Sequence, residues 1–343
     1  VRIGIVTAGG DAAGTNAAIR AVALSAMRDG NEVLGVLDGW AGLSPGGTVI
    51  DLDEGTLKGA LSSGGTMLGS IRTSESPDDH GFDTFAAGIE SNRLDALVVI
   101  GGDGSLFVAD QLASRGLPMV GIPKTVDFDV SVTDYCIGFD TAVSVVVESL
   151  ERMHTTAASH HRVLVCEVMG RDTGWLALMG GLAGGADLML IPEVPMSFGE
   201  ISGRLEVRRE VGKRSSLVVV AEGVTIDGIG TSVSDDAIDP SGHVELARRE
   251  IGDHLADAIA DSAGVETRST ALGYTQRGGP PVASDRIWPS RLGVAAYEAV
   301  LDKRFGCSTA VIDGETSYVP IHDLIATKRR VPADLFSLFD RLL

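Results

Sequence analysis

Short apolar, β-rich runs break off in glycine-rich or acidic turns again and again along this chain, with helix-like stretches between them. Residues 2–6 read as a strand, 16–28 as a helix and 32–37 as a second strand. Residues 94–100 read as a strand ending in Gly101-Gly102, and 118–122 as a short one ending in Pro123. Two further buried runs follow at 163–168 and 216–221. Runs that are apolar at nearly every position belong to strands covered on both faces. Their alternation with helices predicts mostly parallel sheets layered between helices. The 343 residues suit two such domains, or one large α/β unit split by a cleft. Ligands of such folds sit at the carboxyl ends of strands, and nearly every glycine-rich or charged motif of this chain falls at one.

The formal net charge of −19 argues against nucleic acid and anionic membrane as partners. A polyanionic small molecule would need locally gathered arginines or a metal. Cys136, Cys166 and Cys307 fit neither a zinc spacing nor a disulfide framework, and the first two read as small core residues. The opening VRIGIVTAGG is already strand and turn, with no signal peptide and no bilayer-spanning run, so the expected location is the cytoplasm. The segment 225–243 reads as a surface loop without a catalytic role.

Three motifs carry the chemistry. Ala8-Gly9-Gly10-Asp11, with Gly14 before a helix, suits a phosphate cradle and suits an ordinary strand-to-helix turn equally well. Gly101-Gly102-Asp103-Gly104-Ser105 sets an acid at a strand end, where it could hold Mg²⁺ or cap a turn. In Pro123-Lys124-Thr125-Val126-Asp127-Phe128-Asp129 two carboxylates stand two residues apart. In an extended stretch they would point the same way, one as a base and one on metal. Neither the P-loop nor the dinucleotide fingerprint is present.

GGDGS followed by PKTVDFD resembles the paired signature of the phosphofructokinases, usually GGDGS or GGDD with P-G/K-T-I-D-N-D. TAGGDAAGTNAAIR, GGTMLGSIRTS, GFDTA, SHHR, EVMGR, AEG, ETR and LGYTQRGGPPVASDR follow in that family's order, from about Val1 to Arg286. The resemblance implies two three-layer α/β domains with a cleft between them. One would comprise 1–139 plus about 276–326 and bind the donor with Mg²⁺. The other would comprise about 140–275 plus 327–343 and bind the sugar phosphate. It implies phosphoryl transfer from ATP or pyrophosphate to the 1-hydroxyl of fructose 6-phosphate.

The resemblance also assigns roles. Asp127 is the implied base, with Thr125, Arg171 and Arg72 at the reacting centre. Gly9, Gly10, Arg72, Gly102, Asp103, Gly104, Ser105 and Lys124 would face the donor, with Asp103 and Asp129 on Mg²⁺. Thr125, Asp127, Asp129, Met169, Gly170, Arg171, Glu222 and Tyr274 would face the sugar. Arg162 and Arg268, from a neighbouring subunit, and Arg277 would take its 6-phosphate. Arginine's planar fork matches phosphate oxygens. Sites shared in this way imply an oligomer, with a homotetramer expected.

Phe128 stands where the family often has Asn, Tyr274 where many members have His, and Asp172 adds charge beside Arg171. These departures leave another phosphosugar, such as sedoheptulose 7-phosphate, open as acceptor. In the family, Gly at the position of Gly104 goes with ATP, and Asp there with pyrophosphate. Lys at the position of Lys124 is typical of pyrophosphate users but also occurs with ATP, so the steric reading favours ATP. Of the basic residues of the relatives' effector site, Arg20 and Lys213 are present, while Leu24, His154 and Val211 replace others; weak or absent regulation is expected. Arg208, Arg209, Arg329 and Arg330 read as ion-paired or surface residues, and Trp40 as packing near the donor or in the core. An oxidoreductase lacks its fingerprint here. A non-catalytic sugar-phosphate sensor would not need Asp127, Asp103 and Arg72.

Overall fold

The computed structural model describes residues 1–70, 79–231 and 249–342. The chain divides into two compact units. The first contains Val1–Thr141 and Arg277–Lys328, and the second contains Ala142–Asp239, His243–Gln276 and Arg329–Leu343. Arg72 and most of the expected surface loop at 225–243 lie outside the described residues; its described part, 225–231, contains neither helix nor strand.

Strands and helices are numbered along the chain. The first unit's strands are β1 (Arg2–Thr7), β2 (Glu32–Val36), β3 (Val49–Asp51), β4 (Ala96–Gly101), β5 (Met119–Pro123), β10 (Cys307–Ile312) and β11 (Glu315–Pro320). They form one sheet in the order β11-β10-β5-β4-β1-β2-β3. The five central strands run parallel, and β3 and β11 close the edges antiparallel. Helices α1 (Thr15–Arg28), α2 (Asp79–Ser91), α3 (Asp103–Ser114), α8 (Ser284–Leu301) and α9 (Ile321–Ile325) also belong here. Ile3, Ile5, Val98, Ile100, Val120 and Ile122 pack with Ile19 and Val22 of α1 and Leu292 and Ala296 of α8. The opposite face of the sheet meets α3, where Leu106 lies against Gly121. Strands β1, β2, β4 and β5 are buried along their whole length or all but the first residue, as their largely apolar composition requires, and β10 is buried except at its two ends.

The second unit has a parallel sheet in the order β7-β8-β6-β9, from β6 (Val163–Val168), β7 (Leu188–Leu190), β8 (Ser216–Ala221) and β9 (Thr267–Ala271). Its helices are most of α4 (Phe139–His160), then α5 (Trp175–Ala183), α6 (Phe198–Glu210), α7 (Ile251–Ala263) and α10 (Ala333–Asp340). A capping box starts α6: the Ser197 hydroxyl accepts from Glu200 N–H, and the Glu200 carboxylate accepts from Ser197 N–H. The expected pair of α/β folds with mostly parallel sheets is what the chain adopts. Among the described residues, no helix is long and apolar enough to cross a membrane.

Candidate active site

Strand order in the first unit reverses at β1. The chain steps from β1 to β2 on one side and returns through β4 and β5 on the other. Such a reversal opens a crevice beyond the carboxyl ends of the strands. Thr7 pairs with Ile100 and Gly101 with Pro123, so the loops after β1, β4 and β5 leave the sheet side by side. Backbone bonds tie them together: Ala8 N–H donates to Ile100 O at 3.1 Å, and Lys124 N–H to Gly101 O at 2.8 Å. All three motifs singled out in the sequence therefore meet at one place.

Lys124 is 2% exposed. Its ammonium donates to Ala8 O at 2.9 Å and also to Gly10 O. Ser70 donates to Gly9 O, and Ser105 lies against Gly9. A β-carbon on Gly10 would meet three guanidinium atoms of Arg277 at 3.1–3.3 Å. Lysine and arginine charge is thus gathered at the glycine loop of a strongly acidic chain. Asp103 opens α3 after Gly102, and its carboxylate accepts from Gly104 N–H at 2.8 Å. A carboxylate in a first turn is stabilised by the helix dipole.

Asp127 and Asp129 do not stand on an extended strand. Phe128 between them has φ 55°, in the left-handed region, so the expectation that both carboxylates point the same way on extended backbone is corrected. This conformation costs a bulky residue of order 1–3 kcal/mol. The corner is held by Thr125, whose hydroxyl accepts from Asp127 N–H and donates to Asp129 Oδ1, both at 3.1 Å. The Phe128 ring, 8% exposed, stacks on Phe139 with centroids 4.5 Å apart and planes 13° from parallel.

Burial, then the charges of Asp127 and Asp103, push the Asp129 carboxyl up to about 7, and Lys328 pulls it down. The sequence reading missed Lys328. It reaches the site because its backbone bridges Val130, and its ammonium lies 3.6 Å from Asp103 Oδ2. Among the described residues no three His, Cys, Asp or Glu side chains could hold a metal together. Mg²⁺ is commonly held by one or two carboxylates, with phosphate oxygens and water completing its shell. The mutual repulsion of these three aspartates makes a negative well that a cation would relieve, so Asp103 and Asp129 fit such a role.

The raised Asp129 sets a pH dependence. The unfolded chain loses this proton near 3.8 and the folded one near 7. The stabilisation is full below the lower value and is lost as pH rises through the upper one. Between pH 5 and 7.5, ligand-free protein is expected to lose about 2–3 kcal/mol through this group. Urea unfolding at both pH values checks it. The Asp129→Asn chain should lose that much less than the wild type over the interval, and equal losses would contradict the assignment.

In the second unit, Met169, Gly170 and Arg171 follow β6, and Glu222 follows its parallel neighbour β8, with Glu222 N–H donating to Val168 O at 2.9 Å. A β-carbon on Gly223 would sit 1.8 Å from Arg171 O, so only glycine lets these two loops touch. Met169 N–H donates to Gln276 Oε1 at 3.3 Å, in the turn after β9 that also carries the 73%-exposed Tyr274. Arg162 and Arg268 lie elsewhere: Arg162 precedes β6, and Arg268 pairs with Leu164 near its start. Both guanidinium groups contact Glu266, at 2.8 and 3.2 Å. They are therefore at the opposite end of the sheet from Met169–Arg171 and Glu222, about 20 Å away along a six-residue strand. Glu266 was visible in the ETR motif, but nothing local marked it as the link between the two arginines.

Other readings find their places. Cys136 and Cys166 are fully buried, and Trp40 is in the core, stacked on Phe85 at 5.3 Å. Arg208 pairs with Asp187, Arg209 donates to Ala263 O at 3.1 Å, Arg329 lies over the Trp175 ring, and Arg330 reaches Asp172 O at 3.5 Å.

Cationic groups around a glycine loop, next to carboxylates suited to a divalent ion, define a phosphotransferase, and similarity to known proteins agrees. The family pattern Phosphofructokinase matches residues 2–300, and the chain belongs to that family. It is 40% identical over 338 residues to a pyrophosphate–fructose 6-phosphate 1-phosphotransferase of Amycolatopsis methanolica, covering 98% of each chain. It is 41% identical over 333 residues to ATP-dependent 6-phosphofructokinase 3 of Streptomyces coelicolor, covering 97% of each. A solved phosphofructokinase of Saccharomyces cerevisiae superposes with TM-score 0.79 at 32% identity, covering 95% of this chain and 45% of the yeast chain.

Proposed function

We propose that this chain moves the terminal phosphoryl group of ATP onto the 1-hydroxyl of fructose 6-phosphate, giving fructose 1,6-bisphosphate and ADP. The observation that carries the reading is the meeting, at the strand-order reversal, of the Gly9-Gly10 loop, Lys124, Asp103 and the 125–129 corner. The first unit is then the donor half and the second the sugar half. Gly9, Gly10, Gly102, Gly104 and Ser105 admit the donor phosphates, with Lys124, Arg277 and Arg72 supplying positive charge. Asp127 accepts the proton of the 1-hydroxyl as its oxygen attacks phosphorus and the bond to the ADP oxygen breaks. Thr125 holds the Asp127 backbone for that step. Asp103 and Asp129 would hold Mg²⁺, whose contribution when bound is to neutralise charge on the donor phosphates. Met169, Gly170, Arg171, Glu222 and Tyr274 orient the sugar.

Arg162 and Arg268 stand a strand's length from Met169, Gly170, Arg171 and Glu222. Their position supports the reading that they bind the 6-phosphate of a neighbour's substrate in a homotetramer.

The relatives named for ATP and for pyrophosphate are equally similar to this chain, so similarity does not choose the donor. The glycine at position 104, in the first turn of α3, brings no side chain against a nucleoside, and Lys124 alone does not exclude one. Assays with fructose 6-phosphate, Mg²⁺ and either donor, with aldolase reporting the product, test this. ATP should support turnover, and Gly104→Asp should reduce the ATP rate about 10²-fold. Turnover with pyrophosphate alone would refute the donor assignment.

A further inference from the structure

We propose that Phe128 is a positioning residue for phosphoryl transfer, its ring stacked on Phe139 so as to hold the left-handed corner that carries Asp127 and Asp129. The catalytic part of this inference rests on the function proposed above; the structural part does not. Asn or Gly adopts a positive φ through its own backbone preference, whereas Phe does not. At φ 55° the conformation of Phe128 must therefore be imposed by what surrounds it. The near-parallel stack on Phe139, 4.5 Å between centroids, is a contact that can impose it.

Phe139 is itself anchored. Its neighbour Gly138 donates its N–H to Asp285 Oδ1 at 2.9 Å, and Thr141 donates N–H and hydroxyl to Asp285 Oδ2 at 2.7 and 2.6 Å. Asp285 is wholly buried. A fixed support thus runs from Asp285 through the start of α4 to Phe139, then to the ring of Phe128. On the other flank, Thr125 ties down both aspartates. If the ring lets go, the corner can relax out of the left-handed region, and both carboxylates swing with it. A displacement of about 1 Å at a reacting group lowers turnover about 10²-fold.

The test compares Phe128→Leu, which removes the stack, with Phe128→Tyr, which keeps it. Phe139→Leu unstacks the pair from the other side, should Phe128→Leu fail to fold. In Phe128→Leu, kcat should fall about 10²-fold while KM for fructose 6-phosphate stays within about threefold. Deuterium exchange of the 125–130 amides should become at least about tenfold faster. The Phe128→Tyr chain should remain close to wild type in both. A folded Phe128→Leu chain with wild-type kcat, or with unchanged 125–130 exchange, would overturn the proposal. If the wild type itself does not turn over fructose 6-phosphate, the acceptor assignment fails, and the exchange measurement alone decides whether the stack holds the corner.

Discussion

Asp127→Ser is expected to lower turnover about 10³-fold while leaving the affinity for fructose 6-phosphate within a few fold. Removing a general base costs about 10²–10⁴ in rate, and the sugar's binding is assigned to the loops after β6, β8 and β9 and to the arginines. Thr125 remains to hold the backbone at the corner, so the loss should lie in kcat. Steady-state kinetics with equilibrium binding of the sugar phosphate checks both halves. Wild-type turnover in the variant would remove Asp127 from the role of base. The same variant tests the sharing of sites. Arg162→Ser should be defective through the 6-phosphate. Dissociating and reassociating it together with Asp127→Ser should recover activity, because hybrid assemblies contain sites with both native residues. No recovery in confirmed hybrids would contradict a shared site.

Asp285→Ala is expected to destabilise the folded chain by about 3–5 kcal/mol. The carboxylate is fully buried and receives hydrogen bonds from Tyr135 Oη, Gly138 N–H and both the N–H and hydroxyl of Thr141. Removing it leaves four donors facing a hole, and each buried unsatisfied group costs about 1–3 kcal/mol before relaxation. Burial pushes the Asp285 carboxyl up, while these hydrogen bonds pull it down. The Tyr135 phenol rises well above its ordinary value, through burial first and then the charge of Asp285. Asp285→Asn keeps the shape and one acceptor oxygen, so it should lose less. Urea unfolding of the three chains measures the series. A loss under about 1 kcal/mol for the alanine variant would contradict the account of a polar knot that fixes the start of α4.

Sequence pattern located the strands well because burial on both faces leaves little choice of composition. The runs at 163–168 and 216–221 are strands at those bounds, and β1, β2, β4 and β5 agree to within two residues. The three motifs could be placed because each sits just beyond a strand, where backbone direction is already determined. The short strands β3 and β7 and the β10–β11 hairpin carried weaker signals: three residues are too few for a period, and β11 is only partly buried. Contacts made by remote segments were not legible. Lys328 is about 200 positions from the residues it faces, and Asp285 closes its knot across about 145. The left-handed backbone at Phe128 was hidden because its residue type argues against it. The stack on Phe139 and the Thr125 hydrogen bonds that support it are features of tertiary and loop packing. The opposite-end placement of Arg162 and Arg268 required knowing the sheet order.

The central claim is transfer of a phosphoryl group to the 1-hydroxyl of fructose 6-phosphate. ³¹P NMR of the protein incubated with fructose 6-phosphate and Mg²⁺, with ATP in one sample and pyrophosphate in another, tests it most directly. The account predicts a new sugar phosphomonoester signal at the 1-position, growing in step with ADP while the 6-phosphate signal persists. Consumption of neither ATP nor pyrophosphate in the presence of fructose 6-phosphate, or phosphorylation at another position, would contradict it.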